Sequence, residues 1–95
     1  MGMNISQAVE AMRDGKKVRF EEWRSDSDPI FLVLIPGRQT EASFVPMVDH
    51  LGQGTKFLTH DHVDAIYSGA LGLICKVGYE FAQHEILWPA WAVVD

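Results

Sequence analysis

Phe81-Ala82-Gln83-His84-Glu85-Ile86-Leu87-Trp88-Pro89-Ala90-Trp91-Ala92-Val93-Val94 closes the chain, and its reading dictates what the rest has to build. Proline lacks a backbone donor and biases the residue before it toward extended backbone, so Pro89 separates a helical turn from a short terminal strand. A terminal strand needs a sheet to receive it. Each tryptophan here could bury roughly 200 Å² of surface, so this end is expected to dock into a core or an interface.

Working outward, Asn4 with Gln7 three residues on forms a capping-box start, and Ile5, Ala8, Val9 and Met12 line one helical face until Gly15 stops it. Lys16 to Trp23 alternates as a strand does. Asp26-Ser27-Asp28-Pro29 is a turn by composition. Ile30 to Ile35, IFLVLI, is continuously apolar and predicts a central strand covered on both faces, ended by Pro36-Gly37. Gly37 to Gly54 has no sustained period and is expected to be an irregular loop that serves a function or packs on a neighbour. Thr55 to Tyr67 regains strand character, Ser68-Gly69 breaks it, Leu71 to Val77 is another strand and Gly78-Tyr79 a turn. The order predicts one α+β domain over residues 1–95. Its sheet is mostly antiparallel, with an N-terminal helix and a C-terminal helical turn.

A chain of 95 residues buries only ~60–65% of its unfolded surface, which makes a thin core. With 47% hydrophobic residues, apolar surface is left over, and a homo-oligomer is expected. The net charge of −5 argues against long nucleic acids, whose binding rests on many cation–phosphate contacts. A small anion needs only a local cluster, and Arg13, Lys16, Lys17, Arg19 and Arg24 fall close together. The single cysteine, Cys75, with Leu73, Ile74 and Val77 beside it, reads as a buried thiol in a reducing cytoplasm. Met1-Gly2 ahead of Met3 reads as an appended start. No apolar h-region suggests a signal peptide, and no run approaches the ~18–20 apolar residues that span a bilayer.

His60, His62 and Asp64 alternate on a strand-like segment and would share a face, an arrangement open to a metal or to plain hydrogen bonding. The bland reading is favoured, and neither metal nor cofactor is expected. There is no Gly-x-Ser-x-Gly elbow, P-loop or GxGxxG, and His84 and Glu85, adjacent on a helix, point apart. Nothing asks for an enzyme. The aromatic residues suggest binding instead. Trp23 beside Arg24, with Phe81, Trp88 and Trp91, supplies rings for stacking a base, although each taken singly could equally be core.

The run Asn4 to Val9, through Gly15-Lys16-Lys17-Val18 to Trp23, resembles the opening of the second family of Thoeris anti-defence proteins. Phe31 to Gly37 is similar to the strand that follows there. Leu51-Gly52-Gln53-Gly54-Thr55 leading to His62-Val63-Asp64, and the terminal Gln83, Glu85, Ile86, Leu87, Trp91, Val93 and Val94, are similar to its later elements. The chain departs from that pattern at Phe20, Glu22, Glu80-Phe81 and Ala90.

The resemblance implies a phage or mobile-element protein that sequesters, without cleaving it, the glycocyclic ADP-ribose made by a bacterial TIR-domain enzyme. It also implies a homotetramer with pockets between subunits, and cyclic dinucleotides as further ligands. On that reading Trp23 and Phe81 or Trp91 line the adenine pocket, Arg19 or Arg24 meets the pyrophosphate, and Asp64, Gln83 or Glu85 reads ribose hydroxyls beside His62. Two other readings stand. One is a small metal-dependent hydrolase built on His60, His62 and Asp64, and the other a structural module that contacts another protein.

Overall fold

The computed structural model describes residues 2–41 and 47–95. Helix α1 (Ile5–Arg13) begins where the capping box places it. The Asn4 side chain accepts from Gln7 N–H at 2.8 Å, and Gln7 Oε1 accepts from Asn4 N–H at 2.9 Å. Strands β1 (Lys17–Phe20) and β2 (Phe31–Ile35) follow, then β3 (Gln39–Glu41), helix α2 (Met47–Leu51) and β4 (Lys56–Leu58). The chain ends with β5 (His62–Gly69), β6 (Gly72–Lys76), helix α3 (Gln83–Leu87) and β7 (Trp91–Val94). This is a small α+β fold.

Five strands form one sheet in the order β6-β5-β2-β1-β7, each pair antiparallel. Chain order and spatial order differ at one place. β1, near the start of the chain, lies between β2 and the terminal β7, with Phe20 opposite Trp91. The apolar run is central, as its composition predicts, but it is not covered on both faces. Leu32 is buried while Phe31 and Val33 are half-buried and Ile35 is exposed. Cross-strand pairing puts Leu32 and Leu34 on one face with Ala65 and Val63, and Phe31, Val33 and Ile35 on the other with Ile66, Asp64 and His62. The core lies on the first face, where Ala8 and Met12 of α1 meet Val18, Phe20, Leu32, Ala65 and Trp91.

The stretch 37–54 is more ordered than its lack of period predicts. β3 and β4 pair as a separate two-stranded sheet, an arm that holds α2 between its strands in the chain. Pro46, one of the breakers in that stretch, lies outside the described residues. Thr55 to Tyr67 is likewise not one strand but two, in different sheets, because the chain turns at Thr59–Asp61. There the Asp61 carboxylate accepts the Gly37 N–H at 2.6 Å and the Arg38 N–H donates to Thr59 Oγ1 at 2.9 Å. Gly37 is needed at this crossing, since a Cβ there would collide with the Thr59 carbonyl oxygen. The following hairpin turns at Ala70-Leu71, two residues later than the sequence suggests.

Cys75 is exposed rather than buried. Its apolar neighbours belong to an outer strand with nothing described beyond it, so apolar flanks here do not mean burial. Among the described residues no helix is long and apolar enough to cross a membrane.

Candidate functional site

The terminal block builds one aromatic cycle. Trp23 meets Trp91 edge to face at 5.6 Å, Trp91 meets Phe81 at 5.7 Å, Phe81 meets Tyr79 at 5.1 Å and Tyr79 returns to Trp23 at 6.2 Å. Glu85 binds this cycle together. Its carboxylate accepts from Trp23 Nε1 at 2.6 Å, from the Tyr79 hydroxyl at 2.8 Å and from Ala82 N–H at 2.8 Å, and its carbonyl accepts from Trp91 Nε1 at 2.7 Å. Both buried indoles thus find their acceptor on one residue that is itself only 3% exposed. Burial, with the Glu85 carboxylate beside it, pushes the Tyr79 phenol well above its ordinary range.

The nine residues singled out for ligand binding fall into separate groups. Trp23, Glu85 and Trp91 are core, and Trp91 presents no surface in this chain. Arg19 and Arg24 converge elsewhere, both donating to the Trp23 carbonyl, at 3.3 and 3.0 Å, while Arg24 also reaches the Glu21 carbonyl. Gln83 is exposed on the first residue of α3. His62 and Asp64 meet directly, with Nδ1 2.6 Å from Oδ1. The same Oδ1 accepts the N–H of Gly78, whose positive φ of 79° bends the chain back over β5, and Cys75 Sγ sits 3.8 Å from Oδ2. His60 precedes β5 and is exposed, so it does not continue the face that His62 and Asp64 share. Among the described residues no set of three His, Cys, Asp or Glu is placed to hold a metal. Local desolvation, with Asp64 close by, pushes the Cys75 thiol above its ordinary value, so it stays protonated at neutral pH.

Two of the nine, His62 and Phe81, line one cleft of about 380 Å³ between α1, the start of β5 and the 78–81 segment. Val9, Leu34 and Val63 supply apolar surface, Tyr79 and Phe81 the rings, and Arg13, Asp61 and His62 the polar groups. Arg13 donates to Asp61 at 3.3 Å. The Gly37 N–H, and then Arg13, hold the Asp61 carboxyl below its ordinary value. A larger depression of about 550 Å³ adjoins at the root of the arm, lined by Arg38, His60 and Asp61 among others, but it has no aromatic wall. The cleft therefore combines stacking surface, a guanidinium and an imidazole within a volume in the range of small-ligand sites.

No protein-family model matches this chain, and no curated protein matches its sequence.

Asp61 and Tyr79 were not among the residues the sequence pointed to, and Arg13 was named only within the basic cluster and not as a residue of this cleft. A signal existed for Arg13. It lies four residues after Val9, so the two share a helix face, and the face that buries Ala8 and Met12 has Val9 at its margin. Nothing in the sequence placed Tyr79, which reads as a turn residue, against Glu85.

Proposed function

We propose that the protein is a nucleotide sponge. It captures a small cyclic nucleotide of the glycocyclic ADP-ribose type, leaves it intact, and so blocks Thoeris immunity in the cytoplasm of an infected bacterium. The observation that carries this reading is the cleft in which Tyr79 and Phe81 stand beside Arg13 and His62. A base stacks on an aromatic wall, and a guanidinium holds phosphate oxygens by two parallel charge-assisted bonds. The resemblance of the chain to the second Thoeris anti-defence family supplies the ligand class, with cyclic dinucleotides as further candidates. It also supplies the expected homotetramer, in which a second copy would close a cleft that is open in one chain.

The Glu85 carboxylate also favours holding over cleaving, since it is directed at donors within the chain and is not left poised over the cleft as a general acid or base. The core position of Trp23 and Trp91 assigns them to supporting the Tyr79 and Phe81 wall, and the stacking contact falls to Phe81.

The test is capture followed by heat release. Protein incubated with cyclic ADP-ribose isomers is expected to return the nucleotide uncleaved, and a hydrolysed product would favour an enzyme instead. Saturation at ~1,000 times Kd adds ~4 kcal/mol of stability, so a bound isomer should raise Tm by several degrees. Arg13→Ala is expected to weaken binding by about 10- to 100-fold through loss of a charge-assisted bond, whereas Arg38→Ala leaves it within about threefold. Equal losses from both would move the phosphate site to the arm.

A further inference from the structure

β6 is an outer strand of the large sheet and all of its residues are exposed. The hairpin that presents it has a two-residue loop, with Gly69 opposite Gly72. In such a hairpin the closing pair exchanges both backbone hydrogen bonds, and bonded and unbonded pairs alternate from there. Gly72, Ile74 and Lys76 therefore turn their N–H and C=O groups toward β5. The bond from Tyr79 N–H to the Val63 carbonyl keeps the same phase, two residues before Ala65. Leu73, Cys75 and Val77 are left with their backbone groups directed away from the sheet.

Among the described residues those groups have no partner; they recur at every second residue and are symmetric about Cys75. An antiparallel second copy of the strand, related by a two-fold axis at Cys75, would set Leu73 opposite its Val77, Cys75 opposite its Cys75 and Ile74 opposite its Lys76. Every outward group then has a partner. Leu73 and Cys75 share a face with Ser68 and Ile66, the face that also carries Phe31, Val33 and Ile35, so the open apolar surface runs on across the seam. Charge fits too. The chain carries −5, yet Lys76 is the one charged residue from Leu71 to Val77, and in this register the two Lys76 side chains do not oppose each other. β6 has no proline, and its one charge of the kind that keeps edge strands single, Lys76, falls at a residue whose backbone already faces β5. We propose that β6 is a homotypic docking edge that joins the sheets of two copies into one continuous sheet. This does not depend on nucleotide capture.

Cys75 is the sole cysteine, so a short bis-maleimide can link two chains only through it. The unaltered chain is expected to show a native mass that is an even multiple of 10.7 kDa and to give a covalent dimer with the reagent at low micromolar concentration. Cys75→Lys opposes two like charges, and Leu73→Pro removes an outward N–H while sparing the bonds to β5. Each is expected to weaken association by at least about tenfold with unchanged circular dichroism. Should Leu73→Pro not fold, Cys75→Lys and cross-linking of the unaltered chain decide. A monomeric native mass overturns the proposal, as does an assembly that survives both substitutions and yields no linked dimer. Nucleotide capture by a monomer would end this proposal and leave the sponge standing, while a linked dimer that binds no nucleotide would do the reverse.

Discussion

Three donors from separate segments, the Trp23 indole, the Tyr79 hydroxyl and the Ala82 N–H, end on the one carboxylate of Glu85. Glu85→Ala leaves these groups buried without an acceptor. It is expected to cost on the order of 3 kcal/mol in denaturant unfolding, since each orphaned buried donor carries a penalty of ~1–3 kcal/mol. A loss below about 1 kcal/mol would mean that water or another group replaces the carboxylate. The phenols give a second prediction. Burial is the main cause that raises both Tyr79 and Tyr67, so the folded protein keeps protons that the unfolded chain releases near pH ~10. Stability is therefore fully present below that value and drains away as pH climbs past it. Phenolate absorbance and loss of circular dichroism should rise together in alkali. Tyrosines that ionise while the fold persists would contradict the placement of Tyr79.

At the scale of elements, what was legible in the sequence was whatever local chemistry decides. The Asn4–Gln7 cap, the stop at Gly15, the break at Pro89 and the strand at Trp91–Val94 all depend on residues within a few positions of one another. The parts not legible depend on partners far along the chain. β3 and β4 have no alternation to mark them and exist because they pair with each other, and Cys75 is exposed because β6 has no outer neighbour described. For the site, His62 and Phe81 were named from the sequence, but the helix and loop that complete their cleft were not. The arm itself is testable through Gly37, where the Asp61 turn passes too close to admit a side chain. Gly37→Ala is expected to cost about 1–3 kcal/mol as overpacking does, and to lower hydrogen-exchange protection in β3 and β4 more than in β1 or β2. Uniform loss across both sheets would show that the arm is not a separate unit.

Over the whole molecule, the radius of gyration is 15.9 Å, against ~12 Å for a compact chain of this length, and the long axis reaches 49 Å. The arm and the β5–β6 hairpin project, and large apolar side chains stand in solvent at Leu58, Leu71, Leu73, Val77, Leu87 and Trp88. Covering such surface in an assembly couples stability to mass action. Tm should thus rise with protein concentration, each tenfold step adding up to ~1.4 kcal/mol for a dimer, and a Tm that stays flat across dilution would argue for a self-sufficient monomer. The position of β1 has one more effect. Its outer neighbour is β7, which leaves the ribosome long after β1, and Trp91, among the largest fully buried side chains, arrives with it. Whereas many proteins begin to fold from their first residues as they leave the ribosome, this one has no closed core until β7 has emerged. Chains cut short of β7 would therefore keep β1 without its outer partner and be left to proteases.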